Sequence, residues 1–193
     1  MPSSTVGGDL VDAVVFDDSV ACYLADVSGH GIAASVLMSM VKSAVRTSVS
    51  QREPLVGMMQ SLNEALFHLR ERNAHVTLAC LRSTAGDRVE YSLAARPPML
   101  HYRAVTRTIS QLAMEQLPIA MFRGTSFESS NLVLLPGDLL VIVSDGFLEV
   151  TNGRGEEFGP KRLENVILRN AMEPLPQIID RPLQRGYSVR GPE

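Results

Sequence analysis

The chain carries two kinds of apolar spacing. Val6-Gly7-Gly8-Asp9-Leu10-Val11-Asp12-Ala13-Val14-Val15-Phe16 and Val20-Ala21-Cys22-Tyr23-Leu24-Ala25 are runs of strand formers, with the turn signal Asp17-Asp18-Ser19 between them. So short a connection predicts an antiparallel hairpin, because a parallel return needs a crossover of about a dozen residues. From Ile32 to about Val49 the spacing becomes three and four, with Ile32, Val36, Leu37, Met40, Val41, Ala44 and Val45 on one face. That predicts an amphipathic helix. Pro54 opens a second helix bearing Leu55, Met58, Met59, Leu62, Ala65, Leu66 and Leu69, whose methionines read as core filler. Strand-like segments then return at His75 to Arg82, Arg88 to Ala95, Met99 to Tyr102, Thr108 to Leu112, Asn131 to Leu135 and Leu139 to Ser144. Thr84-Ala85-Gly86-Asp87, Pro97-Pro98 and Pro136-Gly137-Asp138 punctuate them. A helix is predicted from Pro160 to about Asn170, and the proline-rich tail offers only a short helix around Gln177 to Asp180.

Chemistry concentrates where apolar runs stop on aspartates. The second strand ends on Asp26 and passes through Val27-Ser28-Gly29-His30-Gly31 into the long helix. A carboxylate at the end of a buried strand is costly unless a cation, a hydrogen-bond network or a metal meets it. The hairpin brings Asp9, after Gly7-Gly8, near Asp26, and the run Leu139 to Ser144 stops on Asp145-Gly146. Aspartates beside glycines, grouped without His or Cys neighbours, are hard oxygen donors suited to Mg²⁺ or Mn²⁺. Zinc is disfavoured, since His30, His68, His75 and His101 show no paired ligand spacing.

Plainer readings stand beside these. Asp145-Gly146 is also a good hairpin turn, Asp26 can serve a local hydrogen bond, and His30 between glycines suits a turn. Ser28 can cap the helix, whose first-turn N–H groups favour an anion. Gly29-His30-Gly31-Ile32-Ala33-Ala34 matches the dinucleotide fingerprint, but that motif needs a parallel βαβ unit. Here a hairpin precedes it, and Glu53, at about the right distance for the acidic partner, sits beside Pro54 between two helices.

Composition narrows the setting. The 193 residues suit a single domain over 1–193 that needs no disulfide. With 45% apolar residues, 20% charged and a net charge of -3, disorder is disfavoured. The arginines are scattered and no basic block appears, so no nucleic-acid partner is expected. Cys22 and Cys80 lie singly in apolar runs and read as reduced core residues, which fits a cytoplasmic setting. No leader is visible and no apolar stretch comes near about 18 residues, so direct membrane insertion is not expected.

Together, Gly7-Gly8-Asp9, Asp26-Val27-Ser28-Gly29-His30-Gly31, Pro136-Gly137-Asp138, Ser144-Asp145-Gly146, Glu149 and Gly155-Glu156-Glu157-Phe158-Gly159 carry a resemblance. From about Val6 to Leu163 the chain resembles the bacterial SpoIIE-like branch of the metal-dependent, PPM-type serine/threonine protein phosphatases. The resemblance implies an α+β fold, a four-layer αββα sandwich of two antiparallel β-sheets flanked by helices. It also implies a centre of two Mn²⁺ or Mg²⁺ ions, with Asp26 bridging them, the Val27 backbone carbonyl a ligand, and Asp9 and Asp145 further ligands. A metal-activated water would attack the phosphorus of a phosphoserine or phosphothreonine on a signalling protein, an anti-anti-sigma-like regulator in a partner-switching pathway. No protein acid is nominated beyond His30, a weak candidate. Fusion to an N-terminal sensor or receiver domain fits such a protein.

Two departures from the pattern matter. Relatives usually finish with Asp-Asp-x-Thr and a last apolar strand, whereas this chain stops at Gly191-Pro192-Glu193. Either the sequence ends just short of that strand or the strand is lost, and Asp180 sits too early to replace its aspartate. Ala94-Ala95-Arg96-Pro97-Pro98 stands where relatives often carry Asn-Ala-Gly-His-Pro-Pro, so Arg96 replaces a histidine and offers a guanidinium to bind substrate phosphate. An active phosphatase and a catalytically impaired, partner-binding pseudophosphatase are therefore both open.

Overall fold

The computed structural model describes residues 8–16, 19–29, 31–70, 74–83, 86–178 and 187–188. In chain order the elements are β1 (Asp9–Phe16), β2 (Ser19–Val27), α1 (Gly31–Ser50), α2 (Leu55–Leu69), β3 (Val76–Ser83), β4 (Arg88–Ala94), β5 (Met99–Arg103), β6 (Thr108–Leu112), β7 (Ser130–Val133), β8 (Leu139–Val141), α3 (Asp145–Leu148), β9 (Thr151–Asn152), α4 (Gly159–Asn170) and β10 (Tyr187–Ser188). They divide into two compact units, Met1–Arg96 with Met114–Val133, and Pro97–Ala113 with Leu134–Glu193.

The first unit is a five-stranded sheet in the order β1-β2-β3-β4-β7, antiparallel throughout. Side chains alternate between its faces. One face presents Tyr23, Ala25, Val27, Val76, Leu78, Cys80 and Ala94 to Leu37, Val41 and Val45 of α1 and to Met58, Met59 and Leu62 of α2. The methionines are thus core, as their spacing suggests. Burial pushes the Cys80 thiol up to about 12, so this free cysteine stays protonated. Because β3 returns antiparallel beside β2, the glycines before α1 do not belong to a dinucleotide-binding βαβ unit.

Helix α1 corrects two expectations. Its buried stripe runs through Ala34, Leu37, Val41, Val45 and Val49, whereas Ile32 and Val36 are exposed. Val36 stands about 100° round the helix from Leu37, which takes it off the sheet. By length and composition α1 would also pass as a membrane span, contrary to the run-length expectation. In the fold, that stripe is packed on the sheet.

The second unit holds a three-stranded antiparallel sheet, β6-β5-β8, and a two-stranded ribbon of β9 and β10. Leu163, Val166 and Ile167 of α4 pack with Leu100, Tyr102 and Phe158. The Pro136-Gly137-Asp138 turn carries a buried polar knot. Asp138 Oδ1 accepts the Ala104 N–H at 2.8 Å, Oδ2 accepts the Leu135 N–H at 3.1 Å, and His101 Nε2 stands 3.2 Å from Oδ2. Burial alone would raise the Asp138 pKa, but these contacts outweigh it and hold the carboxyl below its usual range. The run predicted from Leu139 to Ser144 is paired only over Leu139–Val141. Asp145 opens the one-turn helix α3, and the Glu149 N–H closes it on the Asp145 carbonyl at 3.0 Å, so Asp145-Gly146 is no hairpin turn.

Both units are therefore helices on an antiparallel sheet, the expected α+β class.

Candidate metal and phosphate site

The β1–β2 hairpin sets Asp9 directly opposite Asp26. Asp26 lies within the ladder rather than at its end, since Val27 still pairs with Val76. Opposite residues of adjacent strands share a face, and like charges so placed repel. The backbone adds a third oxygen. A Cβ built on Gly8 would come within 2.7 Å of both Asp26 Oδ1 and the Val27 carbonyl oxygen. Two hard oxygens thus converge on one small space that only glycine leaves open.

The turn out of this site depends on glycine as well. Gly29 and Gly31 take φ of +107° and +80°, left-handed values that carry the chain from β2 into α1. Ser28 does not cap α1 as its position suggests. Its Oγ accepts the His75 N–H at 2.8 Å and its N–H donates to the His75 carbonyl at 3.0 Å, which ties the turn to β3. Beside it, a groove of about 500 Å³ is lined by Val27, Ser28, Gly29, Ile32, Leu69 and Arg70 among others.

The remaining expected residues fall as follows. Asp145 is exposed at the start of α3 in the second unit. His30 and Asp180 lie outside the described residues. Among the described residues no three His, Cys, Asp or Glu side chains gather as a metal site. Arg96 is 7% exposed, and none of its three guanidinium nitrogens has a hydrogen-bond partner. Thr77, directly opposite Asp26 on β3, has a buried Oγ1 that is equally unpartnered.

Sequence reading missed the groups that hold these residues in place. Asp12 takes a fork from Arg46 of α1, Nε to Oδ2 at 2.7 Å and Nη2 to Oδ1 at 2.9 Å, and the Tyr23 hydroxyl donates at 2.8 Å. The Arg46 fork above all, then the Tyr23 hydroxyl, hold the Asp12 carboxyl well below the usual range. Desolvation and Asp12 together raise the Tyr23 phenol. The segment after β6 is fixed by two amides. Asn63 Oδ1 accepts the Ala120 N–H at 2.8 Å while its Nδ2 donates to the Phe122 carbonyl at 3.0 Å. The Gln116 side-chain amide donates to Ser92 Oγ and the Leu93 carbonyl, each at 3.2 Å, and the Gln116 main-chain carbonyl accepts the Ala95 N–H at 3.0 Å. The only sequence signal for Asn63 was a polar residue on α2; Gln116 had none.

Solved structures define the fold. The SiaA-PP2C domain of Pseudomonas aeruginosa matches with a TM-score of 0.78 at 16% identity, covering 92% of this chain and 72% of that one. RsbX in complex with magnesium matches with a TM-score of 0.74 at 13% identity, covering 93% and 80%. At such identities the likeness shows the fold, and that fold is the PP2C-type, or PPM-type, phosphatase fold. Sequence then places the chain within the class. The SpoIIE family profile, Stage II sporulation protein E, matches residues 17–187, and the chain belongs to this family. It is 24% identical over 188 residues to phosphoserine phosphatase RsbU of Bacillus subtilis (strain 168), covering 93% of this chain and 55% of RsbU. Phosphoserine phosphatase RsbP of the same organism is 26% identical over 155 residues, 77% of this chain and 38% of RsbP. The chain thus spans about half or less of these relatives.

Proposed function

We propose that this chain is the catalytic domain of a metal-dependent serine/threonine protein phosphatase, acting on a phosphorylated bacterial signalling regulator of the anti-anti-sigma type. The Asp9–Asp26 pair carries the reading: two carboxylates held opposite each other, with the Val27 carbonyl turned to the same space beside Gly8. Like charges so placed repel, which a cation between them would relieve, and all-oxygen donors suit Mn²⁺ or Mg²⁺. Asp9, Asp26 and the Val27 carbonyl would hold the metal, two ions in a complete site, with Asp145 a further ligand by family resemblance. When bound, the ions supply charge neutralisation and the acidification of water needed for attack on phosphorus. The protein's own part is to fix the donors: the ladder sets the spacing of the two carboxylates, and Gly8 keeps the space open. The cytoplasm as its site of action, and a sensor or receiver segment in the parent protein, belong to the same proposal. RsbU and RsbP themselves extend beyond the stretch that this chain matches.

The test is phosphate release from a phosphoserine protein with and without Mn²⁺, comparing the chain with Asp26→Asn. Mn²⁺-dependent release should fall at least about 100-fold in the variant, since even residues that merely support metal ligands cost 10–100-fold. Partner binding without Mn²⁺-dependent release would instead identify a binding module that keeps the fold.

A further inference from the structure

We propose that Arg96 and Thr77 form a subsite for a tetrahedral phosphate-type oxyanion at the Asp26 end of the five-stranded sheet. The proposal deepens the phosphatase reading and rests on it only for the source of the anion.

The argument begins with charge. A guanidinium stays protonated in proteins, so Arg96 cannot shed its charge as a buried lysine can. Residue Arg96 is 93% buried (7% exposed), and Nε, Nη1 and Nη2 are each closed to solvent and without an acceptor. An uncompensated buried charge is strongly unfavourable, and it persists where something else answers it. Arg82, half-buried on β3, shows the usual solution, with a carbonyl and a carboxylate as acceptors.

Placement supplies the second line. Thr77 stands opposite Asp26, and Leu78 opposite Ala94, so continuing the ladder would set Ala95 opposite Thr77. There the backbone breaks away: Ala95 takes φ of 50°, pinned by its N–H to the Gln116 carbonyl, and Ile119 pairs with Val76 instead. Arg96 therefore leaves the sheet one residue, about 3.8 Å, past the row of Asp9, Asp26 and Thr77. Two unanswered donors, a planar fork and a hydroxyl, lie at the end of the sheet that carries the candidate metal ligands. A phosphate group matches both, because its oxygens accept a guanidinium fork and a hydroxyl at once. Away from water these charge-assisted bonds act at full strength.

The anion can be free phosphate or the phosphoryl group of a substrate, and two measurements separate these. In metal-free protein, thermal shift and calorimetry with inorganic phosphate should show binding that weakens at least 10-fold in Arg96→Met, less in Arg96→Lys and about threefold in Thr77→Val. Without phosphate, Arg96→Met should melt no lower than the parent chain, because it removes an unanswered charge. With Mn²⁺ and a phosphoserine peptide, Arg96→Met should raise KM at least 10-fold if the subsite takes the substrate phosphoryl. An unchanged KM beside lost phosphate binding assigns the subsite to free phosphate. Failure of the parent chain to bind phosphate, equal binding by Arg96→Met, or a lower melting temperature for that variant without phosphate overturns the proposal. Arg96-dependent phosphate binding in a chain that releases no phosphate would leave the subsite standing and sink the phosphatase reading.

Discussion

At the end of the sheet where β3 turns towards β4, Arg82 donates to the Glu53 carbonyl at 2.6 Å and to Glu90 at 2.7 Å, and Glu90 also accepts the Ser129 hydroxyl at 2.8 Å. Ser83 Oγ accepts the Val20 N–H at 2.7 Å. At the opposite end of the same strands, Asp9 faces Asp26, Thr77 Oγ1 has no partner, and the Arg96 guanidinium is buried without an acceptor. The ladder runs through Arg82, which faces Glu90, and breaks at Ala95, so Arg96 has no cross-strand partner. A closed network is complete within the chain and serves stability. An unanswered one costs stability and is retained where a ligand completes it.

Substitutions can break that contrast. Arg82→Met should have the largest effect on stability, a loss of about 3 kcal/mol in chemical denaturation, because it leaves the half-buried Glu90 without its cation. Arg96→Met, by comparison, should cost nothing. A smaller loss is expected for Asp12→Asn, which weakens the fork between β1 and α1, and its signature is pH. The folded-state pKa of Asp12 lies below its unfolded value of about 3.9, so its contribution is complete above that value and is lost as the pH falls through the folded pKa. Acid titration of the parent should therefore show a decline below about pH 4 that is shallower in the variant. Asp9→Asn should stabilise the metal-free chain by about 0.5 kcal/mol by relieving cross-strand repulsion, while weakening Mn²⁺ binding by calorimetry. The smallest change belongs to Ala95→Gly. Ala95 stands in left-handed backbone, and the variant should gain about 0.5 kcal/mol in denaturation while leaving phosphate binding intact.

Much of this molecule was legible from periodicity. The hairpin, both long helices and the order of the strands followed from spacing and turn residues, because each is decided by neighbours close in sequence. Asp9 and Asp26 came together on paper for the same reason: a short turn fixes the register. The errors lie where distant chain intervened. Ser28 caps nothing because His75, on the strand beside it, takes its hydroxyl. Ile32 and Val36 look apolar-facing but are exposed, since the sheet sets which stripe of α1 is buried. Asp145 begins a helical turn because β8 stops pairing at Val141.

The sequence by itself determined the α+β class, the family motifs and the carboxylates available for a metal, all matters of local pattern and residue chemistry. Which polar groups find partners was decided by tertiary structure alone. Arg82 and Arg96 are the same residue type near the two ends of one hairpin. Glu90 across the hairpin and the Glu53 carbonyl ahead of α2 answer the first, whereas at Arg96 the chain has left the ladder and no packed segment brings an acceptor.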